Sequence, residues 1–107
     1  ILPDTNLNGA DLRGAKMQNL IAEDLELVGA NLNTFVSPNG TSYRTDLSGA
    51  NLAGGDLTNA TAIGAKMTGL NLGLGFLDGA NLTGGVELNN AFLENTKIRG
   101  TNLTGAN

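Results

Sequence analysis

Cysteine, histidine and tryptophan are missing from this 107-residue chain. Without cysteine there is no disulfide framework, no thiol nucleophile and no cysteine-based zinc site. Without histidine the commonest general base and metal ligand is gone as well. Aromatics are scarce, at three Phe and one Tyr. No apolar run approaches a membrane span and no signal-peptide pattern is present. Six basic residues against ten acidic ones leave a net charge of −4, which argues against nucleic-acid binding by a basic patch. The same balance is too mild to assert that the chain is an acidic partner-mimic.

What is abundant is Leu, Asn and Gly, with 16 glycines. A Leu every few residues argues against disorder, and the length suits one domain, residues 1–107. The chain opens at Ile1 and closes at Asn107 in mid-repeat, which reads as a mature or excised piece of something longer.

The internal period is five. Stepping from Leu7 gives Leu12, Met17, Ala22, Leu27 and Leu32, then Leu47 through Leu82 in the same phase. Gly85 adds one residue, and the series resumes at Leu88, Leu93, Ile98 and Leu103. Of these eighteen centres sixteen are large aliphatics, and fifteen have Ala, Thr, Gly or Val two residues earlier. Two residues after the centre stands Gly, Asn or Asp, failing only at Thr34 and Leu74.

Five matches neither the 3.6 of a helix nor the 2 of an unbroken strand. A short extended step followed by a corner satisfies it. The small residue and the centre then share one side of the extended step and point inward, while the residue between them points out. Gly or Asn tolerates the backbone of the corner. Four corners close a square of about twenty residues, so the expectation is an all-β, right-handed quadrilateral parallel β-helix of about 4.5–5 coils.

Units such as Ala10-Asp11-Leu12-Arg13-Gly14 and Ala50-Asn51-Leu52-Ala53-Gly54 resemble the pentapeptide-repeat protein family over nearly the whole chain. The resemblance implies the same four-sided solenoid with Leu or Phe centres and Ala shelves inside. It implies no catalytic residues, because the motif is structural. Family members are numerous in cyanobacteria, in cytosol, periplasm and thylakoid lumen, so the compartment stays open, with the cytoplasm slightly favoured.

Residues 35–44, FVSPNGTSYR, break the repeat. Kept in line, they would put Ser37 and Ser42 at Leu positions; Pro38-Asn39-Gly40 instead signals a turn, so a projecting loop or hairpin is favoured. Ala15-Lys16-Met17 recurs as Ala65-Lys66-Met67, forty residues on once ten are looped out, which would stack Lys16, Asp46, Lys66 and Glu87. Against this, Thr5–Gly14 resembles Thr45–Gly54 without any subtraction, and the in-line reading remains. Gly85 reads as a one-residue bulge.

Pro3 is a candidate for blunting the front edge, and nothing after Leu103 looks like a cap. Further chain, a partner or end-to-end self-association would cover that end.

No catalytic, cofactor or metal site is expected. Glu23, Asp24 and Glu26 read as solvated surface charge, the outward asparagines (Asn31, Asn51, Asn71, Asn81, Asn102) as amides bonding between coils. The glycines sit one per corner and form no phosphate cradle. The candidate partner surface consists of Phe35, Val36, Pro38, Asn39, Gly40, Tyr43 and Arg44 in the break, with Leu74, Phe76 and Phe92 outside it. The leading function is a non-catalytic structural or protein-interaction scaffold with an unidentified protein partner, and neither direct nucleic-acid binding nor a membrane is expected. The alternative comes from the resemblance: some members mimic duplex DNA and modulate DNA gyrase, giving quinolone resistance. An enzyme is disfavoured, since the left-handed β-helix acyltransferases repeat every six residues and commonly depend on histidine.

Overall fold

The computed structural model describes residues 5–107; Pro3 lies outside them. Each five-residue unit makes one bridge to the next coil and then turns. The bridges are all parallel and fall into four columns, one per face. The first face stacks Asn6, Glu26, Asp56, Phe76 and Lys97; the second stacks Asp11, Asn31, Thr61, Asn81 and Asn102. The third carries Lys16, Asp46, Lys66 and Glu87, and the fourth Ile21, Asn51, Asn71 and Phe92.

Backbone bonds alternate around each bridge. The Leu52 amide donates to the Asn71 carbonyl at 2.7 Å, and the Asn71 amide to the Ala50 carbonyl at 2.9 Å. A third bond, such as Ala50 N–H to the Leu47 carbonyl at 3.0 Å, closes the regular corners. The second corner residue takes positive φ, so Gly, Asn or Asp belongs there; among the described residues Leu74 alone breaks that rule.

The core is the stack of centres and shelves. Leu27, Leu32, Leu47, Leu52, Leu57, Met67, Leu72, Leu77 and Leu82 are buried, with Ala30, Ala50, Ala60 and Ala80 beside them. At Leu20 and Ala22 the large and small positions are exchanged, which keeps the layer filled.

The outward asparagines differ from the ladder expected of them. Asn31, Asn51, Asn71, Asn81 and Asn102 each accept, through Oδ1, from the backbone amide two residues on, at 3.0 to 3.2 Å. The corner backbone presents that amide unbonded, and a short side chain reaches its own turn more readily than the next coil. Cross-coil amide bonds come instead from corner residues: Asn8 Oδ1 accepts from Val28 N–H and Asn33 Oδ1 from Ile63 N–H.

Two departures interrupt the twenty-residue coil. Bridges step by thirty from Lys16 to Asp46 and from Asn31 to Thr61, because strands β1 (Phe35–Val36) and β2 (Ser42–Tyr43) leave as an antiparallel hairpin. Bridges step by twenty-one from Lys66 to Glu87, with Gly84 and Gly85 both at positive φ in the corner.

Candidate interaction surfaces

The hairpin springs from the corner between the second and third faces. Its tip is set by Ser37-Pro38-Asn39-Gly40: Gly40 N–H donates to the Ser37 carbonyl at 2.9 Å, and Ser37 N–H to the Thr41 carbonyl at 2.8 Å. Pro38 fixes the first turn residue and Gly40 supplies a φ of +87°. Pro38, Asn39 and Gly40 are exposed.

Contacts on both sides hold the base. Towards the preceding coil, Phe35 and Tyr43 stack with ring centroids 6.4 Å apart, and the Arg13 guanidinium lies 5.6 Å from the Phe35 ring centre. Arg13 also makes a two-pronged pair with Asp11, which holds that carboxyl below its usual range. The hairpin passes so close to Gly14 that a Cβ there would sit 3.1 Å from Phe35 Cβ. Buried Thr45 joins the two parts: its Oγ1 accepts from Gly14 N–H at 2.9 Å and donates to the Asn33 carbonyl at 3.2 Å.

Towards the following coils, Arg44 reaches the carbonyls of Gly64 and Gly85 and pairs with Glu87. Arg44 is thus a brace, with its charge already matched. Val36 and Tyr43 remain open to solvent, at 58% and 46% exposure. A groove of about 350 Å³ separates Tyr43 from Lys16 and Lys66 on the third face.

Leu74, Phe76 and Phe92 lie at the diagonally opposite corner, between the fourth and first faces, so the candidate residues form two surfaces. Leu74 occupies the corner itself, with φ +62° and 68% of its surface exposed. On one side a groove of about 220 Å³ separates it from Phe92 over Ala53 and Gly73. On the other a groove of about 480 Å³ lies between it, Phe76 and the Glu23–Asp24 turn. Leu74 therefore makes a ridge with a trough on each flank, and Phe92 and Phe76 wall the far sides.

The charge surroundings of the two corners differ, which a reading along the chain misses. Near the hairpin Arg13, Lys16, Arg44 and Lys66 are interleaved with Asp11, Asp46 and Glu87. Glu23, Asp24 and Glu94 rim the Leu74 troughs, and Glu26 and Asp56 precede Phe76 in its column. Steps of 20, 30 and 21 residues, applied to the charged positions, are the signal that would have found this. Among the described residues no group of three or more His, Cys, Asp or Glu is placed to hold a metal ion.

No curated protein matches the chain. Solved structures do. A pentapeptide repeat protein from the cyanobacterium Cyanothece 51142 is 32% identical over 98% of this chain, with a TM-score of 0.65. One from the Arabidopsis thaliana thylakoid lumen is 28% identical over 96%, with a TM-score of 0.70. The chain spans 61% and 64% of those two proteins, less than two thirds of either. The family model for pentapeptide repeats matches in eight copies over residues 2–33, 43–84 and 77–107. With four columns of bridges and their Leu–Ala layers, the chain is a right-handed quadrilateral β-helix, and it belongs to the pentapeptide-repeat family.

Proposed function

We propose that this chain is a non-catalytic protein-interaction scaffold whose main contact element is the 35–44 hairpin. One observation carries the reading. The coils pair in register beneath the hairpin, from Asn31 to Thr61 and from Lys16 to Asp46, so the core does not require it. Even so, Arg13, Gly14, Arg44 and Thr45 fix its position. An element that the fold can spare, held in one pose with Val36 and Tyr43 facing solvent, is preorganised for contact. The solenoid supplies a rigid mount.

The test compares the intact chain with one in which Thr34 is joined directly to Thr45. A photocrosslinker at Val36 should capture a protein from the native extract that the deleted chain fails to retain. Equal retention by both chains would remove the hairpin from the function. Modulation of DNA gyrase is the other outcome, read separately: inhibition or protection of supercoiling by the intact chain, lost on deletion, would identify gyrase as the partner.

A further inference from the structure

We propose that the Leu74 corner docks a cationic segment of another protein that carries a bulky apolar side chain between basic residues. The proposal rests on the scaffold reading and assigns it a second surface, independent of the hairpin.

Leu74 is the starting point. At the same corner of the other coils stand Asp24, Gly54 and Asn95, residue types that accept positive φ. A leucine there is strained, and its side chain is the most exposed of the large hydrophobics among the described residues. Burial in the core therefore does not offset the strain. Strain that folding does not repay points to use of the side chain outside the fold.

The surroundings specify what would use it. Phe92 and Leu74 wall one trough, and its floor is Ala53 and Gly73. A Cβ on Gly73 would stand in contact with Asn71 Oδ1 at 3.4 Å, the Glu94 carbonyl at 3.6 Å and the Phe92 ring at 3.7 Å, so the glycine keeps the floor of the trough low. Leu74 and Phe76 wall the other trough. Two troughs across one ridge suit a segment with an aliphatic or aromatic anchor.

Charge decides which segment. Glu23, Asp24 and Glu94 are exposed at the trough edges, and none has an ion-pair partner among the described residues. Lys97, beyond Phe76 in its column, is the one basic residue in these two columns among the described residues. An acidic rim around an apolar ridge favours basic residues flanking the anchor. It also disfavours a second copy of this chain, because a self-complementary contact would bring two acidic rims together.

The probe is the peptide Gly-Lys-Lys-Ser-Phe-Leu-Ser-Lys-Lys-Gly, titrated into the isotope-labelled chain. Saturable shifts at the Leu74 methyls and the Phe92 ring are expected, with affinity falling as salt is raised. Leu74→Asn, which suits the corner backbone, should weaken binding by about tenfold or more. A Glu23→Lys/Glu94→Lys double variant should do the same. Replacing the peptide's Phe and Leu by Ser, or its Lys by Glu, should abolish the shifts. Joining Thr34 to Thr45 should leave them intact, which separates failure here from failure of the hairpin reading. The proposal is overturned by shifts confined to the hairpin, by binding indifferent to Leu74→Asn, or by no saturable shift. Concentration-dependent shifts without peptide would assign the corner to a second copy, and equally overturn it.

Discussion

Arg44 and Glu87 are forty-three residues apart in sequence and form an ion pair across two coils. Each belongs to or adjoins a break in the five-residue period. Arg44 ends the decapeptide, and Glu87 follows the extra Gly85, whose carbonyl also accepts from Arg44 at 3.2 Å. The two irregularities of the chain are thereby fastened to each other. Arg44 and Glu87 are each about two-thirds buried, so solvent screens the pair only in part.

Arg44→Ala should therefore cost about 1–2 kcal/mol in denaturant unfolding, more than an exposed pair would, since two backbone carbonyls lose a charged donor as well. Glu87→Ala should cost less. A double-mutant cycle should return a coupling of about 0.5–1 kcal/mol, and strictly additive single effects would contradict the brace. Amides of β1 and β2 should exchange faster in Arg44→Ala while those of Leu52 and Leu57 do not.

The four-sided core was legible because its signal repeats. A centre every five residues, with a small residue two places earlier, fits neither a helix nor an unbroken strand, and the buried Leu27-to-Leu82 series with its Ala shelves follows that spacing. The third-face column of Lys16, Asp46, Lys66 and Glu87 was legible for the same reason: the Ala-Lys-Met echo sets its phase. What stayed hidden depends on which residues become neighbours twenty, thirty or twenty-one positions apart. The bonds from Arg44, the gathering of acids around Leu74 and the turn-local bonding of the asparagines are of that kind. A one-dimensional pattern shows that a side chain faces outward; the coil register decides what it meets there.

Acid should loosen the third face. Burial alone would raise the Asp46 pKa, but the Ser48 amide and hydroxyl, Lys66 and Gln18 outweigh it, and the carboxyl titrates below its reference of 3.8. A depressed folded value means the contribution is present above about pH 4, the unfolded value, and is lost as pH falls through the folded one. Asp46→Asn should therefore be less stable than the parent at pH 6 or so, with the gap closing as pH falls below about 4 and through the depressed folded value. A gap that is the same at both pH values would show that the charge on Asp46 contributes nothing.

The shelf position offers a counter-intuitive test. Ala is the commonest shelf residue, at eight of eighteen positions, so Gly75→Ala looks harmless from sequence. In the structure a Cβ at Gly75 would lie 2.7 Å from the Gly55 carbonyl oxygen and 2.8 Å from that of Leu72. Both are backbone atoms, committed to Phe76 N–H and Gly75 N–H respectively, and neither can swing away. Gly75→Ala should destabilise by about 2 kcal/mol through overpacking. Thermal unfolding followed by circular dichroism would register it, and an unchanged midpoint would mean that the coils part more easily here than their bonding implies.

Leu74 should respond in the opposite direction. A left-handed backbone costs an L-residue with a bulky side chain about 1–2 kcal/mol, and Asn tolerates it better. Little burial is at stake, because more than half of the Leu74 surface is already in solvent. Leu74→Asn should therefore raise unfolding stability by about 1 kcal/mol, and Leu74→Gly by somewhat less because the unfolded chain gains freedom. A single substitution that strengthens the fold while weakening peptide binding at the same corner would tie the strain to contact with a partner. If Leu74→Asn instead lowers stability, the leucine is held by packing against Phe76 and Phe92 and belongs to the architecture of the corner.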